Sequence, residues 1–295
     1  MGLFRLIDKF YTWTFSLVKD RFPYFALYYY IKPRSWLYWR SQPIGKLVKG
    51  SLEAKTDKKS ALFFTVHKSA STFFNWYLKD LAKETGHTYV DVNGYFGTAG
   101  PQGLIAQQQP EFINKVFRKT GFIYGPMRNY IPVTNIEDYP VVLVLRDPRD
   151  VLTSQYFSIK NSHPLVTKEL IKRRKTAQNT TIDEHALSQP DRFVKTYSEY
   201  LDHIYGKKNV LFIKYEELIV NFKVCLQRIN VHCELGLTEE QITKLDKSES
   251  FKKKKEDQSV HIRKISSGDY KEKLKPETIE ILNKKFEGIL KKLEY

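Results

Sequence analysis

Residues 61–77, ALFFTVHKSASTFFNWY, constrain this chain more than any other stretch. The run from Ala61 to Val66 has the composition of a strand buried on both faces. It breaks into His67-Lys68-Ser69-Ala70-Ser71, where small and hydroxylated residues surround one lysine. An amphipathic pattern begins at Thr72, with Phe73, Trp76, Tyr77 and Leu81 at helical spacing. A strand that turns into a helix in this way presents unpaired N–H groups and the positive end of a helix dipole. With the lysine beside them, the turn suits a phosphate-like anion. It is not the Gly-x-x-x-x-Gly-Lys-Ser/Thr loop of nucleoside triphosphatases, because no glycine occupies it. Read alone, it is equally a plain strand–helix junction that carries a lysine.

The same alternation recurs along the chain. The helix that starts at Thr72 is expected to run to residue 85, with Gly86 as its C-cap. Residues 87–92 read as a strand, 93–109 as a Gly- and Gln-rich loop, 110–119 as a helix and 122–124 as a short strand. Residues 141–145, VVLVL, are the clearest buried strand. Behind it, Asp147 is placed as an N-cap, Pro148 as the first helical residue and Asp150 as the acid three positions after the cap. A helix over 148–160 follows, then a charged segment, 163–191, expected as a mobile insertion or exposed helix. Residues 192–205 read as helix and 210–214 as another buried strand. Amphipathic helices continue to about residue 247, a polycationic loop fills 251–260, and 277–293 form a last helix. Strands alternating with helices predict one α/β domain over 61–295, its central parallel sheet flanked by helices.

Residues 51–60 are polar and lysine-rich, the composition of a linker. Residues 1–50 differ from the rest. Leu3, Leu6, Ile7, Phe10, Trp13, Leu17 and Val18 share one helical face, and aromatic clusters at 28–30 and 36–39 are interleaved with basic residues. This extension has nine basic against two acidic residues. Such a pattern suits peripheral contact with an anionic membrane surface, and equally an extra helical layer on the main domain. No apolar stretch approaches the ~20 residues of a membrane span, and no secretory signal pattern opens the chain.

The net charge of +16 over 295 residues implies an anionic partner. No nucleic-acid fold signature accompanies that charge, so it points away from nucleic acid. The two cysteines, Cys225 and Cys233, have no metal-ligand spacing, which excludes a disulfide framework and points to a reducing, cytoplasmic setting without a metal.

Two further basic clusters join the Lys68 turn. Arg146 ends the strand at 141–145, and Ser154 lies on the same helical face as Asp147, so the pair can grip one phosphate. Arg263-Lys264 stands in the segment VHIRKISSGDY, before the last helix. In this order and spacing the three clusters resemble the sulfotransferases that use 3′-phosphoadenosine 5′-phosphosulfate (PAPS), over about residues 61–293. Lys68-Ser69-Ala70-Ser71-Thr72-Phe73 is similar to that family's Lys-Ser-Gly-Thr-Thr-Trp loop, which holds the 5′-phosphosulfate. Arg146 through Ser154 resembles its 3′-phosphate segment, Tyr215 stands where it places a tyrosine near the adenine, and Arg263-Lys264 with Gly268-Asp269-Tyr270 resembles its Arg-Lys-Gly…Gly-Asp-Trp segment. The resemblance implies a P-loop-like fold and sulfuryl transfer from PAPS to a hydroxyl or amine acceptor, with adenosine 3′,5′-bisphosphate as product.

Several positions depart from the family. Ala70 replaces the loop glycine, which is tolerable at negative φ. Ile265 replaces the glycine after Arg-Lys, and Tyr270 a tryptophan. The Lys-Thr-His segment that carries the family's base has no counterpart histidine, since residues 124–129 read YGPMRN. Three residues are candidates for the base: Asp91, at the end of the strand over 87–92; His67, expected on the opposite side from Lys68 by strand alternation and kept neutral by that lysine; and His163, beyond the 148–160 helix. Arg128 is placed either to meet an anionic acceptor or to pair with Glu137 and Asp138. A non-catalytic homologue that binds nucleotide or anionic lipid is the alternative function.

Overall fold

The computed structural model describes residues 41–95, 109–163, 165, 168–252 and 264–295. Its centre is a sheet of five parallel strands: β1 (Ala61–Thr65), β2 (Thr88–Val90), β3 (Phe122–Met127), β4 (Val141–Leu145) and β5 (Val210–Lys214), in the order β2-β3-β1-β4-β5. The single α/β domain with a helix-flanked parallel sheet is therefore present as expected. Side-chain alternation divides the apolar strands between two cores. Leu62, Phe64, Leu143 and Leu145 enter one. Phe63, Ile123, Val142 and Val144 enter the other.

Helix α1 (Pro43–Val48) buries Ile44 and Leu47 in the first core. Helix α2 (Ser71–Thr85) covers the second face through Phe73, Phe74, Tyr77, Leu78 and Leu81, and stops where Gly86 turns left-handed at φ 80°. Helix α3 is Pro110–Val116, and α4 (Pro148–Phe157) runs on into a π-helical turn, Ser158–Ser162. Then come α5 (Lys168–Gln178), α6 (Ile182–Ser188) and α7 (Pro190–His203). Beyond β5 are α8 (Tyr215–Val220), α9 (Phe222–His232), α10 (Glu239–Leu245), α11 (Asp269–Lys273) and α12 (Pro276–Leu293).

Four differences from the sequence reading have physical causes. Strand β3 runs through Gly125-Pro126 to Met127 rather than ending at residue 124. Gly125 makes this possible: its φ is 139°, and a Cβ there would meet Phe63 O at 2.6 Å. Strand β5 is the sheet's outer edge, so four of its five residues are only partly buried. The 163–191 segment holds α5 and α6 against the body of the protein. Ile171, Ala177, His185 and Ala186 are buried, Arg174 Nε donates to Ile159 O at 3.0 Å, and Thr181 with Glu184 forms a capping box. Its four consecutive basic residues hid the narrow apolar stripe. Residues 51–60, read as a linker, are anchored at their end: Ser60 N donates to Lys119 O and Lys58 Nζ to Leu235 O. Residues 1–40 of the N-terminal extension, residues 96–108 of the Gly- and Gln-rich loop and residues 253–263 lie outside the described residues.

Three phenols hold the C-terminal ends of the strands. Tyr200 of α7 donates to Thr65 O at 2.8 Å and Met127 O at 3.3 Å. Tyr197 donates to Arg146 O, and the Tyr295 hydroxyl sits between Glu216 Oε2 at 2.9 Å and Leu145 O at 3.1 Å. These carbonyls lie where the strands give way to the loops that carry the basic clusters, so the phenols fix where those loops begin.

Candidate functional site

The strand order sets the residues after each strand side by side along one edge of the sheet. From one end to the other they are Asp91 after β2, Arg128 after β3, Lys68 after β1, Arg146 after β4 and Tyr215 after β5. Most of them open on one cleft of about 1000 Å³, including its solvent-filled mouth, the size of a small-molecule site.

The Lys68 loop is built on left-handed backbone. Lys68 has φ 67° and Ala70 φ 59°. The condition under which alanine replaces glycine without strain, a negative φ, is therefore not met, and the Ala70 methyl sits in a conformation that glycine adopts freely. Thr65 Oγ1 donates to Ser69 O at 3.1 Å across the loop, and Phe74 N to Ala70 O at 2.9 Å starts the helix. No side chain caps the N-terminus of α2, and its first residues border the cleft. The left-handed turn also overturns the alternation argument for His67. Strand β1 ends at Thr65, two residues earlier, and both His67 and Lys68 line the cleft. Ser71, Thr72 and Phe73 line it too, whereas Ser69 is fully buried with its Oγ unpartnered.

The Arg146 cluster is held by the start of α4. Asp147 is the N-cap as expected, accepting from Arg149 N at 2.9 Å. Asp150 does not reach back to that cap. Its carboxylate accepts from Gly268 N at 2.8 Å and Tyr270 N at 3.0 Å, and faces Arg146 Nη2 at 3.4 Å. The N–H that a capping acid at Asp150 would accept from, Asp147 N, donates to Glu216 Oε1 at 3.2 Å instead. Asp150 thus binds the 264–270 segment to α4. Arg146 donates to Lys68 O and Ser266 O, both at 2.9 Å, and lies 4.5 Å from the centre of the Tyr215 ring. Burial opposes its charge, but Tyr215, Asp150 and Glu216 outweigh that and hold the guanidinium more firmly charged than usual. Its Nε is buried without a partner. Ser154, one face along α4, lines the same cleft.

Lys264 reaches the cleft with Ile265 beside it. Its ammonium pairs with Glu272 at 3.0 Å and Asp269 at 3.1 Å, and the Glu272 bond leads in raising its pKa. Arg263 lies outside the described residues.

Of the three candidate bases, His67 and His163 line the cleft and Asp91 does not. The order of the strands explains this, because β3 stands between β2 and the central β1. Asp91 accepts from Gly94 N at 2.8 Å, and burial raises its pKa against the pull of that bond and of Arg128. His67 is pushed well below the ordinary histidine range by burial first, then by Arg128, Arg192, His163 and Lys68. Arg128 lines the cleft as well, and Asp138, offered as its partner from sequence, pairs with Lys119 at 2.7 Å.

Other lining residues escaped the sequence reading. Trp76, assigned to the apolar face of α2, is 49% exposed and stands at the cleft with Phe73, their ring centres 5.5 Å apart. Phe251 lies 4.7 Å from Phe73 on the same wall. Ser158 and Ser162 follow Ser154 at four-residue steps, a serine stripe visible in the sequence, and the π turn carries both into the cleft. Among the described residues, no group of His, Cys, Asp and Glu is arranged to hold a metal, and no helix is long and apolar enough to cross a membrane.

The sulfotransferase domain family model matches residues 130–294. This span takes in Arg146, Ser154, Tyr215 and Lys264 but stops short of the Lys68 loop, which the fold brings to the same cleft. Among solved structures, the chain is similar to mouse sulfotransferase SULT7A1 complexed with PAP, at 17% identity over 83% of this chain and 90% of that one, TM-score 0.49. It is also similar to a retinol dehydratase in complex with retinol and PAP, at 16% identity over 84% and 85%, TM-score 0.46. No curated protein matches the sequence.

Proposed function

The chain belongs to the sulfotransferase domain family, and from that premise we propose that it transfers a sulfuryl group from PAPS to a hydroxyl or amine acceptor. The observation that carries this reading is the convergence of Lys68, Arg146, Ser154, Tyr215 and Lys264 on one cleft from four separate parts of the chain. The cleft fits an anionic nucleotide on its own chemistry. It is lined by cations and hydroxyls, and the unpartnered buried Arg146 Nε and Ser158 Oγ are polar atoms that an oxyanion or hydroxyl would satisfy.

PAPS supplies the activated sulfuryl group. Arg146 and Ser154 would hold the 3′-phosphate as charged and hydroxyl donors, with Lys264 as a further cation; the family resemblance assigns Arg263 to the same phosphate. Tyr215 and the Phe73–Phe251 wall would take the base. Lys68 would neutralise charge on the oxygen that leaves sulfur, while Ser69, Ser71, Thr72 and the backbone at Ala70 orient the 5′ end. The acceptor proton needs a base in reach. His67 fits that role best, because it lines the cleft beside Lys68 and its depressed pKa keeps the imidazole neutral near pH 7. His163 is the second candidate on the same wall. Asp91 does not line the cleft, which leaves it out of reach of the acceptor.

The 61–295 domain is read as the working unit; of the extension over residues 1–50, α1 packs Ile44 and Leu47 into the first core, and the aromatic, basic stretch before it is read as a contact for an anionic membrane surface. The free, buried Cys225 and Cys233 suit a reducing, cytoplasmic setting. The test is transfer of label from sulfur-labelled PAPS into a broad panel of hydroxyl and amine acceptors. Labelled product that disappears in Lys68→Ala supports the reading. Binding of adenosine 3′,5′-bisphosphate with no transfer to any acceptor would instead identify a non-catalytic homologue.

A further inference from the structure

We propose that Arg128 recognises a carboxylate on the acceptor, so that the acceptor is a hydroxyl- or amine-bearing monocarboxylic acid. The inference rests on the sulfuryl-transfer reading and adds the acceptor class to it.

Position gives the first argument. Along the sheet edge Lys68 stands in the middle, with Arg146 and Tyr215 after the strands on one side and Arg128 after the strand on the other. A donor nucleotide that spans Arg146, Tyr215 and Lys68 leaves the Arg128 flank to the acceptor. His67, the neutral imidazole proposed as base, lies within the field of both Lys68 and Arg128. An acceptor that touches His67 therefore comes near Arg128.

Charge accounting gives the second. The basic side chains lining the cleft are His67, Lys68, Arg128, Arg146, His163 and Lys264, and no described carboxylate lines it. Arg146 already faces Asp150, and Lys264 is paired with Asp269 and Glu272. Arg128 is different. It makes no hydrogen bond or ion pair with any described residue, and its Nε is buried without a partner. Asp91 acts on it only at longer range, and burial weighs against its charge. A guanidinium kept in that state is costly unless an anion completes it.

Shape gives the third. The guanidinium is a planar fork that matches a carboxylate with two parallel hydrogen bonds. One unpaired guanidinium with a neutral imidazole beside it calls for a single negative charge, which a carboxylate supplies and a dianionic phosphate exceeds. A carboxylate on Arg128 would also turn the acceptor so that its hydroxyl or amine is offered to His67 and Lys68.

The experiment compares matched acid and amide probes on the full chain saturated with adenosine 3′,5′-bisphosphate. The pairs are 4-hydroxybenzoate with 4-hydroxybenzamide, glucuronate with glucuronamide, and 12-hydroxydodecanoate with its amide. Binding of each is measured by calorimetry or ligand-observed NMR to the wild type, Arg128→Gln and Arg128→Lys. We expect at least one acid to bind the wild type roughly 10- to 100-fold more tightly than its amide, the range of a charged hydrogen bond. The gap should vanish in Arg128→Gln and return in part in Arg128→Lys, which keeps the charge without the fork. Affinity for adenosine 3′,5′-bisphosphate and for PAPS should stay within about twofold in both variants, which also shows that they are folded. No acid-over-amide preference in any pair, or a preference that survives Arg128→Gln, overturns the proposal. So does a loss of PAPS affinity in Arg128→Gln without an acid preference, which would assign Arg128 to the donor's sulfate. Failure of the wild type to bind adenosine 3′,5′-bisphosphate would refute the donor reading separately, because the acid and amide probes can still be compared without nucleotide.

Discussion

Replacing Arg146 with alanine should remove most of the thermal stabilisation that adenosine 3′,5′-bisphosphate gives the protein. The guanidinium is 4% exposed, braced by Lys68 O and Ser266 O at 2.9 Å, and retains an unpartnered Nε. A preorganised charged donor of this kind contributes about 3 kcal/mol to an oxyanion contact, at the upper end for hydrogen bonds to charged groups. That is roughly 150-fold in affinity. With nucleotide at about 100 times its dissociation constant, the wild type gains ~2.7 kcal/mol, and the variant at the same concentration only ~0.3 kcal/mol. A chain of 295 residues unfolds with an entropy of about 0.6 kcal/mol/K, so the melting temperature should rise by about 4 °C in the wild type and by less than about 1 °C in the variant. The assay is differential scanning calorimetry of each protein with and without nucleotide. Each shift is taken against its own nucleotide-free baseline, because Arg146→Ala also releases the Lys68 and Ser266 carbonyls and lowers that baseline. Equal shifts in the two proteins, or none in the wild type, would refute the assignment of Arg146 to the nucleotide.

The other predictions concern the base, the loop and a buried histidine. His67→Ala should cut kcat by about 10²- to 10⁴-fold while leaving the nucleotide-induced thermal shift intact. In the wild type, kcat/KM should stay level as pH falls from 8 to 6.5, because the depressed pKa of His67 keeps it unprotonated there; a decline centred near 6.5 would exclude it as the base. Ala70→Gly relieves a residue at φ 59° and should stabilise the protein by up to about 1 kcal/mol in urea denaturation, the left-handed strain less the added chain entropy of glycine; a loss of stability would count against the loop geometry. His185 is 8% exposed, and burial, with Arg173 nearby, lowers its pKa to about 4. The unfolded chain therefore takes up a proton near pH 6.5 that the folded one refuses, so stability falls as pH drops below 6.5. Between pH 7 and 5 this one group should cost about 2 kcal/mol, and His185→Gln should lose that much less than the wild type over the same interval.

Much of the architecture was legible because it depends on local order. The apolar runs at 61–65, 141–145 and 210–214 are short and rich in β-branched or aromatic residues, as buried strands are, and Asp147-Pro148 is a cap followed by a first helical residue. The basic clusters were legible too, since their spacing along the chain is itself the pattern. Reasoning confined to neighbours in sequence failed where the backbone left a regular element. His67 was sent away from Lys68 by an alternation that stops at Thr65. Trp76 falls on the apolar stripe of α2, but the first turns of that helix line the cleft, so its ring is half exposed there. Asp150 was read as a capping acid, yet its partners are Gly268 and Tyr270, more than a hundred residues away.

The sequence by itself determined that this chain forms a parallel sheet with a lysine-bearing strand–helix turn, and which residues are candidates to grip a nucleotide. It could not determine the order of the strands. That order, β2-β3-β1-β4-β5, is fixed by which apolar faces pair and which helices cover them. It alone sets Arg146 on one flank of Lys68 and Arg128 on the other, and leaves Asp91 a strand too far away. Local propensity acts over a few residues, whereas strand order is settled by burial across the whole domain. The proposed division of the site into a donor side and an acceptor side therefore rests on the tertiary structure.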